Sequence, residues 1–178
     1  LYEDSEITQG GDVSKSRDFD FVKPKVDFRY DLTPVWQVRG TIEKIVQQLT
    51  FNDFVAASDE ADEDSNFQAG NANLRQEWYW NYEVSSEYRL ASDIGVLSGR
   101  LYFEDWHDTI ERLDVTLDED NLLSANGNIG DGEKYGIDLN ASIRMRMINI
   151  PNLLVTASLN AEDSEIIDPF LGIERRML

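Results

Sequence analysis

Residues 77–90 read EWYWNYEVSSEYRL, and their order decides the fold class. One alternate set is Trp78, Trp80, Tyr82, Val84, Ser86, Tyr88 and Leu90; the other is Glu77, Tyr79, Asn81, Glu83, Ser85, Glu87 and Arg89. Successive side chains of an extended chain point to opposite sides, so this pattern predicts a strand with one apolar and one polar face. The run is roughly twice the usual globular strand of about 5–6 residues. It is long enough for a tilted membrane crossing, which takes about 9–11 residues.

Working outward, residues 134–147 repeat the pattern. Tyr135, Ile137, Leu139, Ala141, Ile143, Met145 and Met147 alternate with Lys134, Gly136, Asp138, Asn140, Ser142, Arg144 and Arg146. Val26, Phe28, Tyr30 and Leu32 alternate with Lys25, Asp27, Arg29 and Asp31. Leu153, Val155, Ala157, Leu159 and Ala161 alternate with Leu154, Thr156, Ser158, Asn160 and Glu162. Two segments are less regular. In 35–48, Lys44 falls on the apolar face of Trp36, Val38 and Ile42, as a β-bulge or an interfacial position would allow. In 96–112, Leu97, Leu101 and Phe103 share a face and the pattern fades past Glu104.

These segments predict strands near 22–32, 35–48, 75–90, 96–112, 133–147 and 153–166, each paired with its sequence neighbour. The fold class is all-β: an antiparallel up-and-down meander, a segment of a large transmembrane β-barrel. Residues 1–20, polar and aperiodic, are expected to be loop or disordered, and 21–178 to form a barrel segment of about six strands. The first and last strands are expected to be unpaired edges.

Connection lengths sort the same way. Thr33-Pro34, 91–95 and 148–152 are short, whereas 49–75 and 113–133 are long and polar. Short periplasmic turns and long extracellular loops are the habit of transmembrane barrels. On that orientation Tyr30, Trp36 and Tyr88 form an inner aromatic girdle, and Trp78, Trp80 and Tyr135 an outer one. Tyr82, Val84, Ile137, Leu139 and Ile143 then face lipid. Arg29, Arg39, Glu83, Glu87, Arg89, Asp138, Arg144 and Arg146 face the lumen. The alternative is a stand-alone β-barrel or sandwich that turns the aromatics inward around an apolar ligand.

The formal net charge is -19, which argues against nucleic acid, whose phosphates call for Lys and Arg. There is no cysteine, so disulfides and thiolate metal sites are excluded. No apolar run reaches the roughly 18 residues of a membrane-spanning helix. A strand barrel escapes that criterion, because only alternate residues meet lipid. The chain opens at Leu1 with no signal-like leader, as a mature chain or a piece of a longer one would.

Three passages resemble one family. FVKPKVDFRYDLTPVWQVRGTIEKIVQQLTFNDFVAAS from Phe21, GNANLRQEWYWNYEVSSEYRL from Gly70 and NIGDGEKYGIDLNASIRM from Asn128 are similar, in order and loop length, to the mid-barrel of TonB-dependent outer-membrane receptors. The likeness runs from about Phe21 to Arg176. It implies active uptake across the outer membrane of a scarce nutrient such as a siderophore, cobalamin or oligosaccharide. It also implies a barrel of about 22 strands with a plugged lumen. The implied partners are outer-membrane lipid, the plug and remaining strands of a parent chain, the TonB complex acting through that parent, and a small-molecule substrate.

Enzymatic chemistry has little to rest on. His107, with Asp105 and Asp108 beside it, is the one candidate for a triad or metal site, and reads more simply as a polar strand end. No GxSxG elbow occurs. Asp59, Glu60, Asp62, Glu63 and Asp64 suggest calcium but lack the glycine of an EF-hand loop. Those residues, and Asp118, Glu119 and Asp120, read as solvated loop; 126–132 reads as a glycine-rich loop tip. No catalytic, cofactor-binding or metal residue is assigned.

Overall fold

The alternating segments pair as strands in the computed structural model, which describes residues 2–9, 13–49, 57–58, 67–69, 71, 73–114 and 123–177. Strands β1 (Tyr2–Gln9) and β2 (Val13–Asp20) form a separate antiparallel hairpin. The main sheet is built from β3 (Lys25–Thr33), β4 (Trp36–Val46), β7 (Trp78–Arg89), β8 (Gly95–Asp114), β9 (Leu123–Arg144), β10 (Leu154–Ile167) and β11 (Glu174–Arg175). Their order, β11-β10-β9-β8-β7-β4-β3, is an up-and-down antiparallel meander. Two short strands, β5 (Ala57–Ser58) and β6 (Phe67–Ala69), lie in the β4–β7 connection. They pair with each other, and β6 runs parallel to the outer end of β9 at Leu123–Ala125.

The six expected strands are all present, with four differences. Residues 2–9 and 13–20, expected as loop, pair with each other. Neither alternate set in that stretch is apolar, so period-two patterning had nothing to display there. Strand β9 starts at Leu123, so the stretch expected as a loop tip around 126–132 is ladder paired with β8. Backbone hydrogen bonding alone carries a strand above the level where a buried face demands alternation. At the other end β9 stops at Arg144, and Met145–Ile148 form a 3-10 turn closed by Asn149 in the left-handed region (φ 65°). Finally, the edge near Ile166 is partly covered, since β11 pairs Arg175 with Ile166 and Glu174 with Ile167. No pairing joins β3 to β10 or β11 among the described residues, so the sheet is open.

The turn chemistry explains the short connections. Thr33 pairs with Trp36 around Pro34-Val35, where proline withholds no N–H that a ladder would need. Between β7 and β8, Ser92 and Asp93 take positive φ (58° and 53°), short polar residues that tolerate it. All three short connections lie at one end of the sheet. Strand β8 has 20 residues and β9 has 22. At about 3.4 Å per residue and a tilt near 40°, β8 rises roughly 50 Å, twice the apolar band of about 25 Å.

Buried hydrophobics are few among the described residues: Val46, Leu74, Tyr102, Ala125 and Ile166, of which Leu74 alone is fully enclosed. Large apolar side chains stand exposed instead, among them Val26, Phe28, Tyr30, Ile42, Tyr82, Val84, Leu101 and Leu159. A contiguous apolar surface of this extent is a face built to meet another apolar phase.

Candidate functional site: a two-faced wall

Register fixes which side chains share a face. From β3 to β10, one row runs Val26–Ile42–Tyr82–Phe103–Tyr135–Asp163 and a lower one Tyr30–Val38–Ser86–Gly99–Leu139–Leu159. On the opposite face, Arg29–Arg39–Ser85–Arg100–Asp138–Asn160 form one row, and Asp27–Thr41–Glu83–Tyr102–Gly136–Glu162 the next. The apolar set of each strand thus adjoins the apolar set of its neighbours.

On the apolar face, Tyr82, Val84, Ile137, Leu139 and Ile143 lie together with Tyr30, Trp36, Tyr88, Trp78, Trp80 and Tyr135. Near the short turns, Trp36 packs edge-on against Tyr88 with ring centroids 6.4 Å apart, and its Nε1 donates to Ser86 Oγ at 2.9 Å. Near the long connections, Trp78 stacks on His107 at 4.1 Å, and Lys44 Nζ lies 3.6 Å from the Trp78 ring centroid. The β4–β7 ladder continues without a bulge past Lys44, which pairs with Trp80. The interfacial reading of Lys44 therefore holds over the bulge reading: an aliphatic stem on apolar surface, an ammonium on an aromatic face. A small device recurs beside it. The Phe28 ring covers Gly40 on the neighbouring strand, so closely that a Cβ there would lie 2.0 Å from the ring.

The polar face is an ion-pair lattice. Arg100 donates to Glu83 at 2.7 Å and to Asp138 at 3.0 Å, and Asn160 donates to Asp138 at 2.6 Å. Gln37 donates to Asp31 (2.8 Å), Arg39 donates to Gln37 (2.7 Å), and Arg29 bonds Asp31 (3.2 Å). Arg29 and Arg39 face each other directly across the ladder; the shared Asp31–Gln37 acceptors offset that repulsion. Higher up, Tyr102 donates to Glu162 at 2.9 Å while Lys134 pairs with it at 3.2 Å. Of the residues expected on this face, Arg29, Arg39, Glu83, Glu87, Arg89, Asp138 and Arg144 lie there; Arg146 sits in the 3-10 turn, where alternation no longer applies. Arg100 was missed although it links three strands. Counting back one residue from the apolar Leu101 would have found it.

Above both faces, the outer end is tied by side chains acting as backbone. Asn128 accepts from Arg75 N–H (2.8 Å) and donates to the carbonyls of Arg75 (2.8 Å) and Asp108 (2.7 Å). The Arg75 guanidinium pairs with Asp108, and Glu77 accepts from Ile110 N–H at 2.8 Å. The β8–β9 register shifts between Trp106 and Thr109, where Asp108 (φ 54°) and Gly130 (φ 129°) have left-handed backbone. His107 lies between Asp105 and Asp131, 3.4 Å from each on opposite ring nitrogens. That arrangement directs its two nitrogens to different carboxylates rather than to one metal. The acidic runs 59–64 and 118–120 lie outside the described residues.

The last turn is similarly tied. Arg175 reaches Glu111 at 2.6 Å and Asp168 at 2.9 Å. The Leu171 N–H, the Arg175 guanidinium and the Phe170 N–H hold the Asp168 carboxyl below the usual carboxylate range.

A long antiparallel meander with an exposed apolar face, an ion-paired polar face and an open edge defines the wall of a transmembrane barrel. Residues 2–169 match the TonB dependent receptor-like, beta-barrel family model, and the chain belongs to that family of outer-membrane transport receptors. Among solved structures it is similar to the siderophore receptor PirA from Pseudomonas aeruginosa, with a TM-score of 0.58 and 14% identity. That match covers 84% of this chain and 30% of the receptor, so this chain spans less than a third of its length. No curated protein matches the sequence.

Proposed function

We propose that this chain is part of the barrel wall of an outer-membrane receptor that imports a scarce small nutrient, with energy delivered through TonB to the parent protein. The face segregation across six registered strands carries this reading. Tyr82, Val84, Ile137, Leu139 and Ile143 meet lipid, between an inner girdle of Tyr30, Trp36 and Tyr88 and an outer one of Trp78, Trp80 and Tyr135. Trp78 and Tyr88 lie ten residues apart on one strand, roughly 25 Å along the membrane normal at the usual rise and tilt. The charged lattice of Arg29, Arg39, Glu83, Asp138 and their neighbours lines the lumen, where the plug and water meet it. Burying those charges in a narrow dry interior would cost several kcal/mol per unpaired ion, which speaks against a small self-closed barrel around an apolar ligand. The remaining strands of the parent satisfy the open edges, which lipid cannot.

The test is fractionation of cells that express the complete gene product, together with uptake measured with and without TonB. Outer-membrane residence and TonB-dependent accumulation of substrate are expected. A product soluble without detergent, or uptake indifferent to TonB, overturns the proposal.

A further inference from the structure

The ladder between the two longest strands is interrupted once near its middle, and a histidine stands in the gap. Pairing of β8 with β9 stops at Trp106–Gly132 and resumes at Thr109–Gly130, with His107 and Asp108 on β8 and Asp131 on β9 left between. Left-handed backbone at Asp108 (φ 54°) and Gly130 (φ 129°) takes up the extra residue, as at a β-bulge. The Asp131 carboxylate spans the gap. Its Oδ1 accepts the Asp108 N–H at 3.2 Å, and its Oδ2 lies 3.4 Å from His107 Nδ1. The other ring nitrogen, Nε2, lies 3.4 Å from Asp105 Oδ2 on the same strand.

Counting protons shows what this geometry does. A neutral imidazole carries one N–H and one lone pair, so it can donate to only one of the two carboxylates and turns a lone pair toward the other. An imidazolium donates to both. The other neighbours come from three further strands. Trp78 of β7 stacks on the ring at 4.1 Å, and the Lys44 ammonium of β4 lies 3.6 Å from the centroid of that same indole. Glu133 of β9 pairs with Asp105, Glu165 of β10 pairs with Glu133, and Asp108 is taken up by Arg75. Carboxylates thus flank both ring nitrogens, the single ammonium reaches the ring only through the indole, and the indole face accommodates a cation.

We infer that His107 is a proton-operated lock on the break in the β8–β9 ladder. With its second proton the ring ties β8 to β9 through Asp131; without it the gap is left to the Asp108 N–H bond. Histidine changes charge between about pH 5 and 8, so acidification stiffens the joint between the barrel wall and the outer part of both strands. The lock belongs to the wall and does not depend on what the receptor imports.

The experiment is hydrogen exchange at the Asp108 amide in the complete gene product, held in phosphatidylcholine vesicles. Rates are taken relative to intrinsic exchange at about pH 5.5 and about pH 8, a range over which ordinary carboxylates stay charged. The His107 and Asp131 side chains are 27% and 70% exposed, so solvent screening keeps the effect small. Protection is expected to be about two- to fivefold greater at the acid pH, the size that a partly exposed ion pair supports. His107→Gln, which cannot titrate, should show the same low protection at both pH values. Asp131→Asn keeps an acceptor for the Asp108 N–H but removes the charge, and its pH response should fall to that of His107→Gln. A parent protein with no pH response, protection that falls on acidification, or a response that survives in full in either variant overturns the inference.

Discussion

Leu101→Arg places a charge near the middle of the apolar face. Leu101 is 58% exposed and pairs with Val84 on one side and Ile137 on the other. On β8 it lies four residues from Leu97, which pairs with Tyr88, and six from His107, which pairs with Trp78. At about 3.4 Å per residue and a tilt near 40°, that puts it roughly 10 Å above the inner aromatic level and 15 Å below the outer one. An Arg at that depth of a barrel wall costs about 2–4 kcal/mol, against about 0–1 kcal/mol near either interface. Leu97→Arg, at the Tyr88 level, should therefore cost at least about 1 kcal/mol less than Leu101→Arg. Arg100→Lys, next door but on the other face, keeps a cation in the lumen and should stay within about 1 kcal/mol of the parent. The assay is reversible denaturant unfolding of the complete gene product into lipid vesicles. Equal costs for Leu101→Arg and Leu97→Arg, or a larger cost for Arg100→Lys than for Leu101→Arg, would refute the assignment of faces.

Other outcomes follow from single contacts. Arg100→Ala leaves Glu83 and Asp138 without their shared cation; the three side chains are 37%, 24% and 24% exposed, so solvent screening limits the loss to about 1–2 kcal/mol. Adding Glu83→Gln and Asp138→Asn should recover most of it, and a triple variant no better than the single one would disprove the pairing. A Cβ at Gly136 would lie 2.6 Å from the Tyr102 ring, so Gly136→Val must expel that ring and break its bond to Glu162. The expected cost is about 1–3 kcal/mol. In a Tyr102→Ala background it should shrink, and strict additivity would show that the ring was never the obstacle. Asp168 has a depressed folded-state pKa, so its contribution is fully present above the ordinary carboxylate value and is lost as pH falls through the lower folded value. Hydrogen exchange at the Phe170 and Leu171 amides should therefore accelerate on acidification, measured relative to intrinsic exchange, and Asp168→Asn should remove most of that pH dependence.

The sequence displays most of what alternation can encode. Strands β3, β7 and the lower part of β9 are legible because the residues of their apolar and polar faces differ in kind. Strand β8 is harder to read. Gly99 stands on its apolar face, Asp105 and His107 extend that face past the rim, and Arg100 is consequently overlooked. The outer half of β9 and the β1–β2 hairpin leave no periodic trace, because neither alternate set of residues is consistently apolar. In β9 the outer pairing is joined by clamps such as Asn128, which link residues more than fifty positions apart. Nothing local in the sequence announces such a partner. The glycines at 40 and 136 are likewise opaque until register reveals the ring lying over each.

The interrupted ladder between Trp106 and Thr109 divides the two longest strands into a wall and a mast. Below the break, the β8–β9 ladder runs uninterrupted from Gly95 to Trp106; above it, β8 and β9 continue with β6 added at the outer end of β9, tied to Arg75 by Asn128, to Glu77 through the Ile110 N–H and to Arg175 through Glu111. Bending energy concentrates where bonds are fewest, so a load on the tip of the mast turns it about the Asp108–Gly130 joint and leaves the wall undeformed. Spin labels above the joint should sample a broader distance distribution, relative to labels in the wall, than pairs placed wholly below it. A bend at the Asp108–Gly130 joint would carry the outer part of both strands against the unbroken ladder below it, with Trp106 on the near side of the joint.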